Sequence, residues 1–117
     1  MFAPRSRCLQ QAVYTRALSL ASTPEEKVAL LNNRAACRFQ DRDFRQCVSD
    51  CSEALALDAN NVKALLRRGQ SYENIEKIEL AMADMKRLQE LSPGLPQVSQ
   101  AIHRLTRMAK QKEGHAW

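Results

Sequence analysis

The sequence predicts an all-α protein, an array of helix pairs, on three observations. Only three glycines and four prolines punctuate 117 residues, too few for the turns a sheet demands every few residues. Aromatic residues are scarce as well, at 5% of the chain. Third, the chain repeats itself. Shifted by 34 positions, residues 28–57 fall on residues 62–91 without a gap: Val28 on Val62, Leu31 on Leu65, Arg34 on Arg68, Ala35 on Gly69, Cys37 on Ser71, Phe44 on Ile78, Val48 on Met82, Asp50 on Asp84 and Leu57 on Leu91. Large apolar residues match large ones and small match small, which shared composition alone does not produce.

Each unit reads as two helices. In the first unit, Val28, Leu31, Ala35 and Phe39 form one stripe of a helix from Glu26 to Gln40, because residues three and four apart share a face. Asp41-Arg42-Asp43 breaks it. A second helix, Phe44 to Leu57, carries Phe44, Cys47, Val48, Cys51, Ala54 and Leu55, and Asp58-Ala59-Asn60-Asn61 ends it, since Asn and Asp favour turns and helix starts. The next pair spans Val62 to Ile75 and Ile78 to Leu91, closed by Ser92-Pro93-Gly94. A last amphipathic helix, Gln97 to Lys110, aligns Val98, Ile102, Leu105 and Met108-Ala109. Upstream, Leu9 to Ala21 reads as the second helix of an earlier unit, with Tyr14, Ala17 and Leu18 at helical spacing. The predicted division of a single 1–117 domain is 8–21, 26–57, 62–91 and a capping helix 97–110, with the first repeat incomplete. That incomplete front exposes an apolar face, which predicts a surface for homodimerisation.

The formal net charge of +5 favours acidic partners. No apolar run approaches the roughly 20 residues that span a bilayer, so no transmembrane segment is expected, and the basic opening Met1 to Arg7 has no apolar stretch behind it. The cysteines at 8, 37, 47 and 51 form no Cys-x-x-Cys pair, and His103 and His115 lie far from them. They read as small core fillers, without metal and without disulfides. There is no glycine-rich phosphate loop and no Ser-His-Asp or Cys-His set, so neither enzyme chemistry nor a cofactor is expected. Nucleic-acid binding would require basic residues interleaved with exposed aromatics; here the aromatics fall mostly at predicted core positions, and no nucleic-acid partner is expected.

The 34-residue period, with small residues at Ala35/Gly69 and Cys47/Ala81, resembles the tetratricopeptide repeat. Asn32-Asn33-Arg34-Ala35-Ala36-Cys37 and Val62-Lys63-Ala64-Leu65-Leu66-Arg67-Arg68 resemble its carboxylate-clamp subgroup, co-chaperones that hold the C-terminus of the cytosolic seventy- and ninety-kilodalton heat-shock chaperones. Within that subgroup, Asp50 to Leu57 and Ile102 to Arg107 are most similar to mitochondrial-import-associated adaptors and the myosin-chaperone group. The resemblance implies a non-enzymatic adaptor in the cytoplasm or at the mitochondrial outer surface, binding acidic C-terminal peptides. Of the family's five gripping side chains it carries over three, Asn33, Lys63 and Arg67. The other two belong to a first helix that this sequence does not contain. The alternative is a repeat scaffold that uses its other faces.

Helical spacing places Lys63, Arg67, Gln70 and Asn74 on one face, and Ala29, Asn33, Ala36 and Gln40 on the matching face of the preceding unit. Lys63 would supply a point charge, Arg67 a planar fork and Asn33 an amide donor to a carboxylate. Ala29 and Ala36 would leave room for a peptide backbone. Arg34 and Arg68, one position past the stripe, read as flanking or structural. Arg104, Arg107, Lys110 and Lys112 read as a solvated face.

Overall fold

The computed structural model describes residues 10–114. Its order is α1 (Gln11–Leu20), α2 (Pro24–Gln40), α3 (Phe44–Leu57), α4 (Val62–Asn74), α5 (Ile78–Leu91) and α6 (Pro96–Gly114), with no strand among the described residues. α6 begins at Pro96, whose fixed φ suits a first helical turn, and runs past Lys110, where the apolar stripe has already ended. The all-helical repeat architecture expected from the sequence is the architecture found.

Local chemistry sets where the helices start. Thr23 accepts from the Glu26 backbone N–H at 3.1 Å while the Glu26 carboxylate accepts from the Thr23 N–H at 3.1 Å, a reciprocal capping box before Pro24. Asp43 caps α3 through the Gln46 N–H, and Asn61 caps α4 through the Ala64 N–H. Hydrogen bonds from the Ser22 and Thr23 backbone and hydroxyl groups hold the Glu26 carboxyl below the ordinary carboxylate range. Its contribution is therefore present above that range and lost as pH falls through the lowered value. Thr23→Ala is expected to cost about 1 kcal/mol in urea unfolding at neutral pH, and the gap between variant and parent should shrink on acidification.

Both turns inside the helix pairs use a residue in the left-handed region at the same repeat position, Arg42 at φ 63° and Glu76 at φ 61°. After each, a backbone N–H reaches back five residues, Asp43 to the Arg38 carbonyl at 2.8 Å and Lys77 to the Tyr72 carbonyl at 2.9 Å. That closure satisfies the last carbonyls of the helix. Glycine normally takes this position, and a side chain there carries a cost of about 1–2 kcal/mol.

Packing follows the apolar stripes. Val28, Leu31, Ala35, Cys47, Cys51, Ala54 and Ala64 form one cluster, joining α2, α3 and α4. Leu65, Ile78, Ala81, Met85, Leu88, Val98, Ala101 and Leu105 form a second under α6. Ala35 is fully buried, and at the equivalent Gly69 a Cβ would meet the Met85 Cε at 2.8 Å. Small residues at this position are what let the paired helices approach.

Cys47 and Cys51 are free, fully buried and one helical turn apart; the hydrogen bond to Cys47, together with burial, pushes the Cys51 thiol up. At the front, α1 buries no residue completely and leaves Val13 and Leu20 63% and 75% exposed, because no helix packs on its far side among the described residues.

Candidate peptide-binding site

α2 and α4 are the first helices of successive units, and they lie side by side. Their cross-links advance together: the Asn32 amide donates to the Asn61 side-chain oxygen at 3.1 Å, and further along the Arg67 guanidinium lies over the Phe39 ring, 4.9 Å from its centroid. Partners that advance together mean that the two helices run in the same direction. Side chains at equivalent repeat positions therefore project into one groove.

Between these helices is a hollow of about 270 Å³ lined by Asn32, Asn33, Ala36, Lys63, Leu66 and Arg67. It gathers two side-chain amides, one ammonium and one guanidinium, with Ala36 and Leu66 as apolar walls. Asn33 and Lys63 are exposed and Arg67 is half-buried. Ala29 lies in an adjoining hollow of about 640 Å³, which shares Asn32 and Lys63 with the first. The remaining two predicted positions are not gathered with the others. Gln70 is half-buried on α4, and Asn74 donates its side-chain amide to the Gln70 backbone carbonyl at 2.8 Å while lining a separate hollow with Phe39, Gln40, Arg42 and Phe44. One face of a helix is long enough to serve two hollows.

The neighbouring arginines are committed elsewhere. Arg34 donates through Nε and Nη2 to the two carboxylate oxygens of Asp50, at 3.0 and 2.7 Å. Arg68 does the same to Asp84, at 2.8 and 2.7 Å. The hydrogen bond to its aspartate is the main cause that raises each guanidinium above its ordinary value. Arg38 adds a third donor to Asp50 at 3.1 Å. Of the two readings open to Arg34 and Arg68, flanking or structural, these pairings support the structural one.

Two expectations need correcting. Arg104 is not a freely solvated cation: it forks onto Glu73 at 2.8 and 3.0 Å, tying α6 to α4. Nor are the described aromatics fully buried, although Phe39 and Tyr72 pack against the two core clusters. Phe39, Phe44, Tyr14 and Tyr72 are all half-buried, and Phe39 and Phe44 meet edge to face with centroids 5.2 Å apart. An apolar ring at helical spacing reads as core in sequence, but here the groove side of α2 takes Phe39.

No protein-family model matches the chain. Among solved structures, the Arabidopsis OM64 TPR domain superposes with a TM-score of 0.77 at 32% identity, over 83% of this chain and 78% of that domain. The chain belongs to the tetratricopeptide-repeat family. The first TPR of Spaghetti (RPAP3), solved bound to the HSP90 peptide SRMEEVD, matches this repeat array at 28% identity with a TM-score of 0.79, over 86% of this chain and 79% of that one. The human mitochondrial import receptor subunit TOM34 is 38% identical over 111 residues, which are 91% of this chain and 36% of the receptor subunit. The tetratricopeptide-repeat chain thus spans about a third of the length of that relative. Among its described residues no helix is long and apolar enough to cross a membrane.

Proposed function

We propose that this chain is a non-enzymatic co-chaperone adaptor that binds the acidic C-terminal peptide of heat-shock chaperones through a partial carboxylate clamp of Asn33, Lys63 and Arg67. The observation that carries this reading is the convergence of those three side chains on one hollow between α2 and α4. A terminal aspartate brings two carboxylates to it. Arg67 can fork onto one, Lys63 offers a compact charge, and the Asn33 amide can donate beside them. An internal aspartate brings only one carboxylate, so the site discriminates by terminus as well as by charge. Similarity to a receptor subunit of mitochondrial import supports a place of work on the cytosolic side of that organelle.

The test is titration of labelled peptides ending in Glu-Glu-Val-Asp, one with a free C-terminus and one amidated. The free acid should bind tighter by roughly 10- to 150-fold, the worth of about 1.5–3 kcal/mol for hydrogen bonds to a charged group. Equal affinity for the two, or no binding to either, rejects the clamp.

A further inference from the structure

We infer that Phe39 is a positioning residue for this site: its ring holds the Arg67 guanidinium across the groove without occupying the N–H groups that would grip a peptide carboxylate. The inference rests on the peptide-binding reading above and adds a residue to it.

Arg67 is held differently from the arginines that pair with carboxylates. Arg34, Arg38, Arg68 and Arg104 all direct N–H groups onto carboxylates of this chain. Their donors are in use. Arg67 makes no ion pair with any described residue; its guanidinium carbon stands 4.9 Å from the centre of the Phe39 ring. A guanidinium meets an aromatic face electrostatically, through the negative face of the ring, whereas its hydrogen bonds leave along its edge. The contact therefore fixes where the cation lies and leaves its donors available.

Phe39 is in turn held. It packs edge to face on Phe44 at 5.2 Å and 75°, a favoured aromatic geometry, and the Arg42 guanidinium covers the Phe44 ring at 5.5 Å. The ring thus comes from the last turn of α2, braced by the first residue of α3, and reaches a side chain of α4. A long, rotamer-rich arginine loses entropy when a ligand fixes it. Arg67 is already ordered by the ring before the ligand arrives, so less is lost on binding.

The test replaces the ring and reads binding together with the state of Arg67. Phe39→Leu and Phe39→Met keep an apolar side chain without a π face, and Phe39→Tyr keeps the face. With helicity and cooperative unfolding checked for each, the two aliphatic variants should bind the free-acid Glu-Glu-Val-Asp peptide roughly three- to tenfold more weakly. The tyrosine variant should bind like the parent. In nuclear magnetic resonance, the upfield ring-current shift of the Arg67 side-chain protons should vanish in Phe39→Leu and persist in Phe39→Tyr. In an Arg67→Ala background, Phe39→Leu should have no further effect. Parent-like affinity in both aliphatic variants overturns the inference, as does an equal loss with and without Arg67, which would mark a general packing effect. If Arg67→Ala itself binds free-acid peptide like the parent, the failure lies instead with the peptide-binding reading.

Discussion

Asp50→Ala is expected to lower the unfolding free energy by about 3–5 kcal/mol, measured by urea denaturation, the largest stability loss expected from a single charged residue. The Asp50 side chain is 1% exposed and accepts from two arginines, Arg34 at 2.7 Å and Arg38 at 3.1 Å. Removing it leaves two guanidinium groups, 14% and 17% exposed, facing a space with no counter-charge. The desolvation cost of those cations was offset by the carboxylate and now stands uncompensated. Asp84→Ala should cost less, because only Arg68 loses its partner, and Arg68 is 23% exposed. Converting the second pair together, Arg68→Met with Asp84→Leu, should recover most of the loss, since a buried ion pair replaced by packed apolar residues is often neutral. A double variant as unstable as Asp84→Ala would show that the pair contributes net stability of its own.

These two aspartates show what the sequence displays and what it withholds. Asp50 falls on Asp84 and Arg34 on Arg68 in the 34-residue register, so their equivalence is visible in the order of residues alone. Their burial is not, because a charged residue on an amphipathic helix reads by default as solvent-facing. The spacing of 16 residues between arginine and aspartate, the same in both units, is the recoverable signal: it joins the two antiparallel helices of a pair. The helix pairs themselves are legible because apolar periodicity is local. Phe39 escapes such a reading for the opposite reason, since its role depends on a side chain of α4 that only tertiary packing brings near. The same holds for Arg104, whose partner Glu73 lies 31 residues away on another helix. For the candidate site, helical spacing and the repeat register suffice to align Asn33, Lys63 and Arg67, because equivalent positions of parallel helices project alike. Spacing alone could not divide that long face into separate hollows, which is why Gln70 and Asn74 fall away from the other three.

Adjacent arginines in α4 should give opposite phenotypes. Arg67→Ala is expected to weaken binding of a free-acid Glu-Glu-Val-Asp peptide by about 1–3 kcal/mol, roughly 5- to 150-fold, with little change in the thermal midpoint. Lys63→Ala should behave in the same way. Both residues line the hollow beside Asn33, and neither forms an ion pair with another described residue, so the fold loses little charge compensation when they go. Arg68→Ala should do the reverse. It leaves the Asp84 carboxylate, 6% exposed, without its bidentate partner, and the midpoint should fall by several degrees. Peptide affinity measured well below that midpoint should stay within a few fold of the parent, because the Arg68 N–H groups point to Asp84 and Ser52 and away from the groove ligand. The contrast isolates direction from charge, since each substitution removes one positive charge from the same turn of the same helix. If the two variants lost affinity equally, the long-range positive field of the chain would be the cause, and raising the salt to shrink the Debye length from about 10 to 3 Å should then abolish the difference between parent and variants. Charge-assisted hydrogen bonds at the clamp predict otherwise: the gap between Arg67→Ala and Arg68→Ala should survive in 1 M salt.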